Sequence, residues 1–260
     1  LFTADGKKYI FRCNGEGTER LIDRENEKAV YELLSATGIT ERIVALSTQP
    51  GYKISRYYEH SHVCDPHNAE EVASCMAALR SFHERRLRGV KVFDPFAELL
   101  FYETLMPAEA RRGSTYIAVR EQVFSLRSFV APFLAETATL CHIDAVSDNF
   151  LFVEGRERPY LIDWEYAGLS DPLIDIAMFA IYADYREEET EQLIAAYFPE
   201  GFDALLRARV HTYMAVGGLI WYDWSVYKSS LGVTFGPYEE SQFRFAKEYA
   251  VKARKEWEML

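Results

Sequence analysis

The spacing of apolar residues changes character once along this chain, and that change constrains the fold more than any single motif. Up to residue 58 the pattern is strand-like with one helical interruption. Leu1-Phe2-Thr3, an Asp5-Gly6 turn and Tyr9-Ile10-Phe11-Arg12 read as a hairpin, because Asp-Gly supplies the positive-φ pair that a two-residue turn needs. Gly15 and Gly17 break the second strand, and Thr18 offers a helix cap. Leu21, Ile22, Ala29, Val30, Leu33 and Leu34 then recur at helical spacing up to a stop at Gly38. Strands over 43–46 and 52–58, joined around Pro50-Gly51, complete a small sheet carrying one helix.

After Pro66 the pattern is helical. Val72, Cys75, Met76, Leu79, Phe82 and His83 form one stripe, and Asp94-Pro95 is a cap followed by a first-turn proline. The exception lies between residues 139 and 163, where short apolar strands over 140–142, 150–153 and 160–162 surround a Gly155 turn. No internal repeat or flexible linker separates the parts. The expectation is an α+β chain of two packed lobes: residues 1–58 as a sheet-plus-helix N-terminal lobe and 59–260 as a mostly helical C-terminal lobe. Leu1 stands inside a strand pattern, so further residues are expected ahead of it.

Composition excludes several classes. The 260 residues are 49% hydrophobic, enough for a sizeable core. A formal charge of −11 repels phosphate backbones, so nucleic acid is not an expected partner. Cys13, Cys64, Cys75 and Cys141 form no CxxC pair and sit among apolar neighbours, which predicts buried free thiols and a reducing cytoplasm. No apolar run approaches the ~20 residues of a membrane helix, so membrane insertion is not expected.

The chemistry concentrates in His142-Ile143-Asp144-Ala145-Val146-Ser147-Asp148-Asn149, between two of the short strands, and in Asp163-Trp164-Glu165 at the end of the third. Taken singly, these are ordinary turn and capping residues. In this order they offer a carboxylate base and two hard oxygen ligands, the parts that Mg²⁺-dependent phosphoryl transfer requires.

The HxDxxxxN loop with Ile162-Asp163-Trp164-Glu165-Tyr166 resembles the choline kinase and aminoglycoside phosphotransferase superfamily, bacterial choline kinases in particular. The resemblance implies a two-lobed protein-kinase-like fold and an ATP-dependent small-molecule kinase with ATP and Mg²⁺ as cofactors. It implies Asp144 as catalytic base, Asn149 and Asp163 as metal ligands, and His142 as holder of the loop. Asp171-Pro172 and Asp175 match the family's continuation, with Asp175 supporting the loop. The family often has glycine where Ile143 stands. Arg12 takes the place of the basic residue that reaches ATP phosphates, Glu27 that of its acidic partner, and Ser55-Arg56-Tyr57-Tyr58 that of the adenine-binding hinge. Gly15 and Gly17 match no phosphate loop, and the family's nucleotide-covering loop would precede Leu1.

The expected acceptor is choline or a related amino alcohol. Trp221 and Trp224 lie three apart in a helical stretch around residues 216–225, hence on one face, and two indole faces suit a quaternary ammonium that cannot donate N–H bonds. The segment through Phe235-Gly236 resembles the corresponding choline kinase stretch, and Tyr182 and Tyr185 stand where the family places another pocket wall. Three alternatives stand beside this: the tryptophans as plain core, the same chemistry on ethanolamine, thiamine or an aminoglycoside, and a non-catalytic kinase-shaped binding module.

Overall fold

The computed structural model of the chain describes residues 1–13, 15, 20–49 and 51–260. The expectations placed on Gly17, Thr18 and Pro50 lie outside those residues. A four-stranded antiparallel sheet in the order β1-β2-β4-β3 opens the chain, built from β1 (Phe2–Ala4), β2 (Lys7–Cys13), β3 (Ile43–Ser47) and β4 (Tyr52–Arg56). Asp5 and Gly6 do adopt positive φ, 49° and 71°, as the hairpin requires. The β2–β4 register pairs Arg12 with Lys53 and Tyr9 with Arg56. Paired residues share a sheet face and alternate along each strand, so Arg12 and Lys53 stand together while Arg56 is on the opposite face.

Helix α1 (Arg24–Leu34) begins later than its apolar spacing suggested. Asp23 caps it by accepting from the Asn26 N–H at 3.1 Å, leaving Leu21 and Ile22 ahead of the first turn. Asn26 also fastens this helix to the body of the protein. Its side chain donates to the Ala167 carbonyl at 2.8 Å and accepts from the Lys91 N–H at 3.0 Å.

The strands anticipated between 139 and 163 divide between two small sheets. β6 (Thr139–Cys141) pairs with β9 (Gly168–Ser170), while β7 (Phe150–Val153) lies between β5 (Ser61–Val63) and β8 (Tyr160–Leu161). β5 and β9 are three-residue strands without an apolar run, so nothing in their sequence announced them. The loop from 142 to 149 is thereby suspended between two sheets.

The helical body comprises α2 (Ala69–His83), α3 (Pro95–Leu105), α4 (Ser114–Ser125), α5 (Arg127–Glu136), α6 (Leu173–Tyr182), α7 (Glu187–Tyr197), α8 (Ala204–Ser230) and α9 (Tyr238–Met259). The anticipated stripe on α2 is buried at every position. The tryptophan pair sits near the C-terminal end of the 27-residue α8. Gly218 allows α9 to approach α8 closely: a Cβ there would stand 2.7 Å from the Gln242 carbonyl oxygen. Cys64, Cys75 and Cys141 are buried free thiols, but Cys13, at the end of β2, is exposed, contrary to expectation. No helix among the described residues is long and apolar enough to cross a membrane.

One polar group on α8 seats that helix. The fully buried Asp223 lies 3.1 Å from the Tyr116 hydroxyl, which lies at the same distance from the Glu103 carboxylate that Arg120 pairs. Burial pushes the Asp223 carboxyl up to about 8. In the unfolded chain it titrates near 3.9. A raised acid holds its proton longer in the folded state, so its contribution to stability is complete below about 4 and is lost as pH rises through about 8. Asp223→Asn cannot ionise and should melt above the wild type at pH 9 but not at pH 5. Parallel melting curves at the two pH values would contradict this.

Candidate active site

A lattice of alternating charges lies where the four-stranded sheet meets the helical body. From β2, Arg12 donates to Glu27 of α1 at 2.6 Å, pairs with Asp163, and lies 3.3 Å from Glu165. From β4, Lys53 meets the Tyr31 hydroxyl at 2.6 Å, Glu41 at 3.2 Å and Asp163 at 3.5 Å. Arg24 bridges Glu27 and Glu165 at 2.7 and 3.0 Å. The structure thus brings Arg12, Glu27 and Asp163 together as the sequence suggested. Glu25, on the same first turn, is exposed and forms no ion pair among the described residues, whereas Glu27 is buried. Burial alone would raise the Asp163 carboxyl, yet the charges of Lys53 and Arg12 hold it below the usual carboxylate range.

The strand end that carries Asp163 is fixed by its neighbour. Trp164 is fully buried, and its indole N–H donates to the Leu161 carbonyl at 2.8 Å. Its ring meets Phe82 edge-on at 5.1 Å and His142 at 4.5 Å. His142 donates from Nε2 to the Ile162 carbonyl at 2.8 Å, which fixes the tautomer because a carbonyl only accepts. Burial lowers its pKa, so the ring is neutral and the loop is tied to the Asp163 strand by hydrogen bonding rather than charge. That is the holding role the resemblance implied for His142.

The loop itself is strained. Ile143 adopts φ of 70° while fully buried, a conformation that costs a β-branched residue about 1–3 kcal/mol, so contacts around the loop must hold it there. Asp175, at the start of α6, holds it there. Its two carboxylate oxygens accept from the His142 N–H at 2.8 Å and the Ile143 N–H at 2.7 Å. His83 of α2 donates to the same carboxylate at 2.9 Å and meets the Tyr197 hydroxyl at 2.8 Å through its other nitrogen.

Asp144 emerges from this loop beside Asn149, whose side-chain N–H group donates to the Asp144 carboxylate at 3.0 Å and to its carbonyl at 2.8 Å. The Asn149 side-chain oxygen is left as an acceptor. Burial, with the charges of Asp163 and Glu165, pushes the Asp144 carboxyl up to about 7. This is a group able to take or hold a proton near neutral pH.

An aromatic wall faces Asp144. Burial raises the hydroxyls of Tyr102, Tyr166, Tyr182 and Tyr238, and the Asp144 carboxylate adds to the rise at each. Trp224 lies 5.0 Å from Phe235, which in turn lies 6.3 Å from Tyr238, and Tyr182 lies 6.4 Å from Tyr238. Trp221 stands edge-on to both Trp224 and Tyr166, but it is 6% exposed and its N–H points to the Met178 sulfur at 3.1 Å. Trp221 is therefore mainly packing behind the wall, and Trp224 is the more accessible indole.

Two anticipated residues point elsewhere. The Tyr185 hydroxyl donates to the Pro66 carbonyl and its ring packs beside Phe179, because the chain has already left α6 and turned toward α2. The Arg56 side chain lies on the sheet face opposite Arg12, with its guanidinium 5.9 Å from the Tyr58 ring, so strand alternation leaves only its backbone for the hinge. Tyr57 follows β4 with its N–H on the Lys8 carbonyl, and the Tyr58 hydroxyl accepts from the Arg42 N–H, both at 3.1 Å.

Sequence reasoning passed over Lys53, Arg24, His83 and Tyr238. Lys53 was legible in principle, since it alternates correctly with Ser55 on β4 to face inward. His83 was noted only as part of an apolar stripe, and Tyr238 follows the Phe235-Gly236 pair closely enough to have been included.

A small antiparallel sheet over a helical body, with a basic strand residue, a helix carboxylate and two loop carboxylates meeting between them, defines a kinase of the protein-kinase-like fold. The sequence profile described as choline/ethanolamine kinase matches residues 3–197, and the chain belongs to that family. It is an ATP-dependent small-molecule kinase acting on an amino alcohol. Protein LicA of Haemophilus influenzae (strain KW20) is 26% identical over 254 residues, covering 92% of each chain. The crystal structure of choline kinase LicA from Streptococcus pneumoniae superposes with a TM-score of 0.84 at 28% identity, over 96% of this chain and 88% of that one. A structure of LicA in complex with AMP gives 0.83 at 28% identity, over 96% and 86%.

The strained loop yields a test. Asp175→Ala removes the acceptors that hold His142 and Ile143, and should lower kcat about 100-fold, since a misplacement near 1 Å is worth that much, with the ATP KM within twofold. An unchanged kcat would show that the loop holds its own shape.

Proposed function

We propose that this enzyme transfers the γ-phosphoryl group of ATP to the hydroxyl of choline, giving phosphocholine and ADP, with Mg²⁺ as the metal cofactor. The observation that carries the reading is a half-buried carboxylate near neutrality, Asp144, that faces an aromatic wall on one side and the Asp163 charge lattice on the other. Asp144 engages the acceptor hydroxyl and takes its proton. The carboxylate of Asp163 and the side-chain oxygen of Asn149 would hold the metal.

The donor set suits a hard divalent cation. Carboxylate oxygens of Glu27, Asp163 and Glu165 lie within 4.8 Å of one another. Across the lattice four carboxylates, Glu27, Glu41, Asp163 and Glu165, face three cations, Arg12, Arg24 and Lys53, which leaves an excess of negative charge. When bound, Mg²⁺ neutralises charge on the phosphate oxygens. Arg12 and Lys53 are the side chains available to those oxygens, with Glu27 fixing Arg12. The backbone from Ser55 through Tyr57 and Tyr58 receives the adenine, beside Ile10, which pairs with Ser55 on the inner face of the sheet.

Trp224 and Tyr182, joined by Phe235 and Tyr238, supply the ring faces for the quaternary ammonium, with Trp221 behind them. One observation favours ethanolamine as a second acceptor. The Tyr182 hydroxyl donates to the Asp148 carboxylate at 2.6 Å, which places a hydrogen-bond acceptor beside the wall that a primary ammonium uses and a quaternary one does not.

Asp144→Asn should lower kcat by 100-fold or more while nucleotide binding is retained, the range expected for losing a general base. Turnover within tenfold of wild type would remove Asp144 from the chemistry. Trp224→Ala should raise the choline KM about tenfold, the worth of ~1–2 kcal/mol of cation–π attraction, and leave the ATP KM within twofold. Equal effects on both substrates would mark Trp224 as packing alone.

A further inference from the structure

Behind the Asp163-Trp164 segment, a second cleft lies between the turn at 37–39, helix α2 and the β7–β8 hairpin. It encloses about 150 Å³, and Arg85, Arg156 and Arg158 line it with Thr37 and Ser81. No carboxylate appears in that lining among the described residues. In a chain of net charge −11, three arginines line this cleft with no acid in its wall. Arg85 follows the C-terminal end of α2, where a cation is favoured by the helix dipole. That reason does not extend to Arg156 and Arg158, which sit on the β7–β8 connection.

The cleft is also partly organised for an anion. Arg156 lies 3.7 Å from the centre of the Tyr160 ring and donates to the Gly38 carbonyl, so its planar fork is held in place. The volume is well below the roughly 300–1,000 Å³ of pockets for drug-sized ligands, which selects a small anionic group over a whole nucleotide. Arginine forks match phosphate oxygens in charge and in geometry. We propose that this cleft is a binding site for a phosphate dianion, whether free phosphate or the phosphate end of a phosphorylated amino alcohol.

Such an anion would tie the small lobe to the large one. The 37–39 turn belongs to the first, α2 and the β7–β8 hairpin to the second, and the two already touch through the Leu161 N–H on the Ile39 carbonyl at 3.0 Å. None of the cleft's arginines belongs to the candidate active site, and Phe82 and Leu161 in its wall both contact Trp164.

Calorimetric titration tests this with inorganic phosphate and with phosphocholine as separate arms, the nucleotide site being filled with ADP. Wild type is compared with Arg85→Ala/Arg158→Ala, two exposed positions whose loss should leave the fold and basal turnover unchanged. The expected result is one bound anion per chain, weakening with added salt, and an affinity at least tenfold lower in the double variant; the tighter arm identifies the source. Equal affinities in wild type and variant in both arms, or no binding in either, would overturn the proposal.

Discussion

Asp163 lies between two cations delivered by neighbouring strands, and the arrangement of the site depends on that contact. Arg12 and Lys53 are register partners on β2 and β4, so a single sheet face presents both toward the helical body. Glu27 and Arg24 continue the alternation into α1, and Glu165 closes it from the Asp163 strand. Leaving one member of a buried pair without its partner costs about 3–5 kcal/mol, so these groups define one another's positions. The same alternation joins sheet, helix and loop.

A second layer of contacts sets the angle at which Asp144 is offered. Trp164 packs Phe82 on one side and His142 on the other, and His142 and Asp175 tie the loop to the Asp163 strand and to α6. The strain at Ile143 is held by these bonds. Burial raises both carboxylates and neighbouring charge then separates them: with cations beside it Asp163 stays ionised, while Asp144, flanked by negative charge, is raised further toward neutrality. Two acids of one chemical type thereby acquire different properties.

Much of this was legible in the sequence because phosphoryl transfer demands a fixed order of residue types. Asp144, Asn149 and Asp163 carry that order, Arg12 and Glu27 follow by resemblance, and the Asp5-Gly6 turn carries its own backbone signature. What escaped depended on partners distant in sequence. β5 and β9 exist because β7 and β6 offer them edges. The face that the Arg56 side chain takes depends on register, which one strand alone does not reveal. Tyr185 was misread because α6 ends at Tyr182 and the chain turns before reaching it. Trp221 and Trp224 are equivalent by spacing, and only the packing of Met178 and Tyr166 separates the buried indole from the accessible one.

In the proposed reaction one half-buried carboxylate, Asp144, delivers an amino alcohol's hydroxyl to the γ-phosphate of ATP. Phosphorus NMR of the enzyme with ATP, Mg²⁺ and choline tests it most directly. The expected result is a phosphomonoester resonance growing in step with ADP, absent when choline is omitted. ADP accompanied only by inorganic phosphate, or no ADP with either choline or ethanolamine, would contradict it.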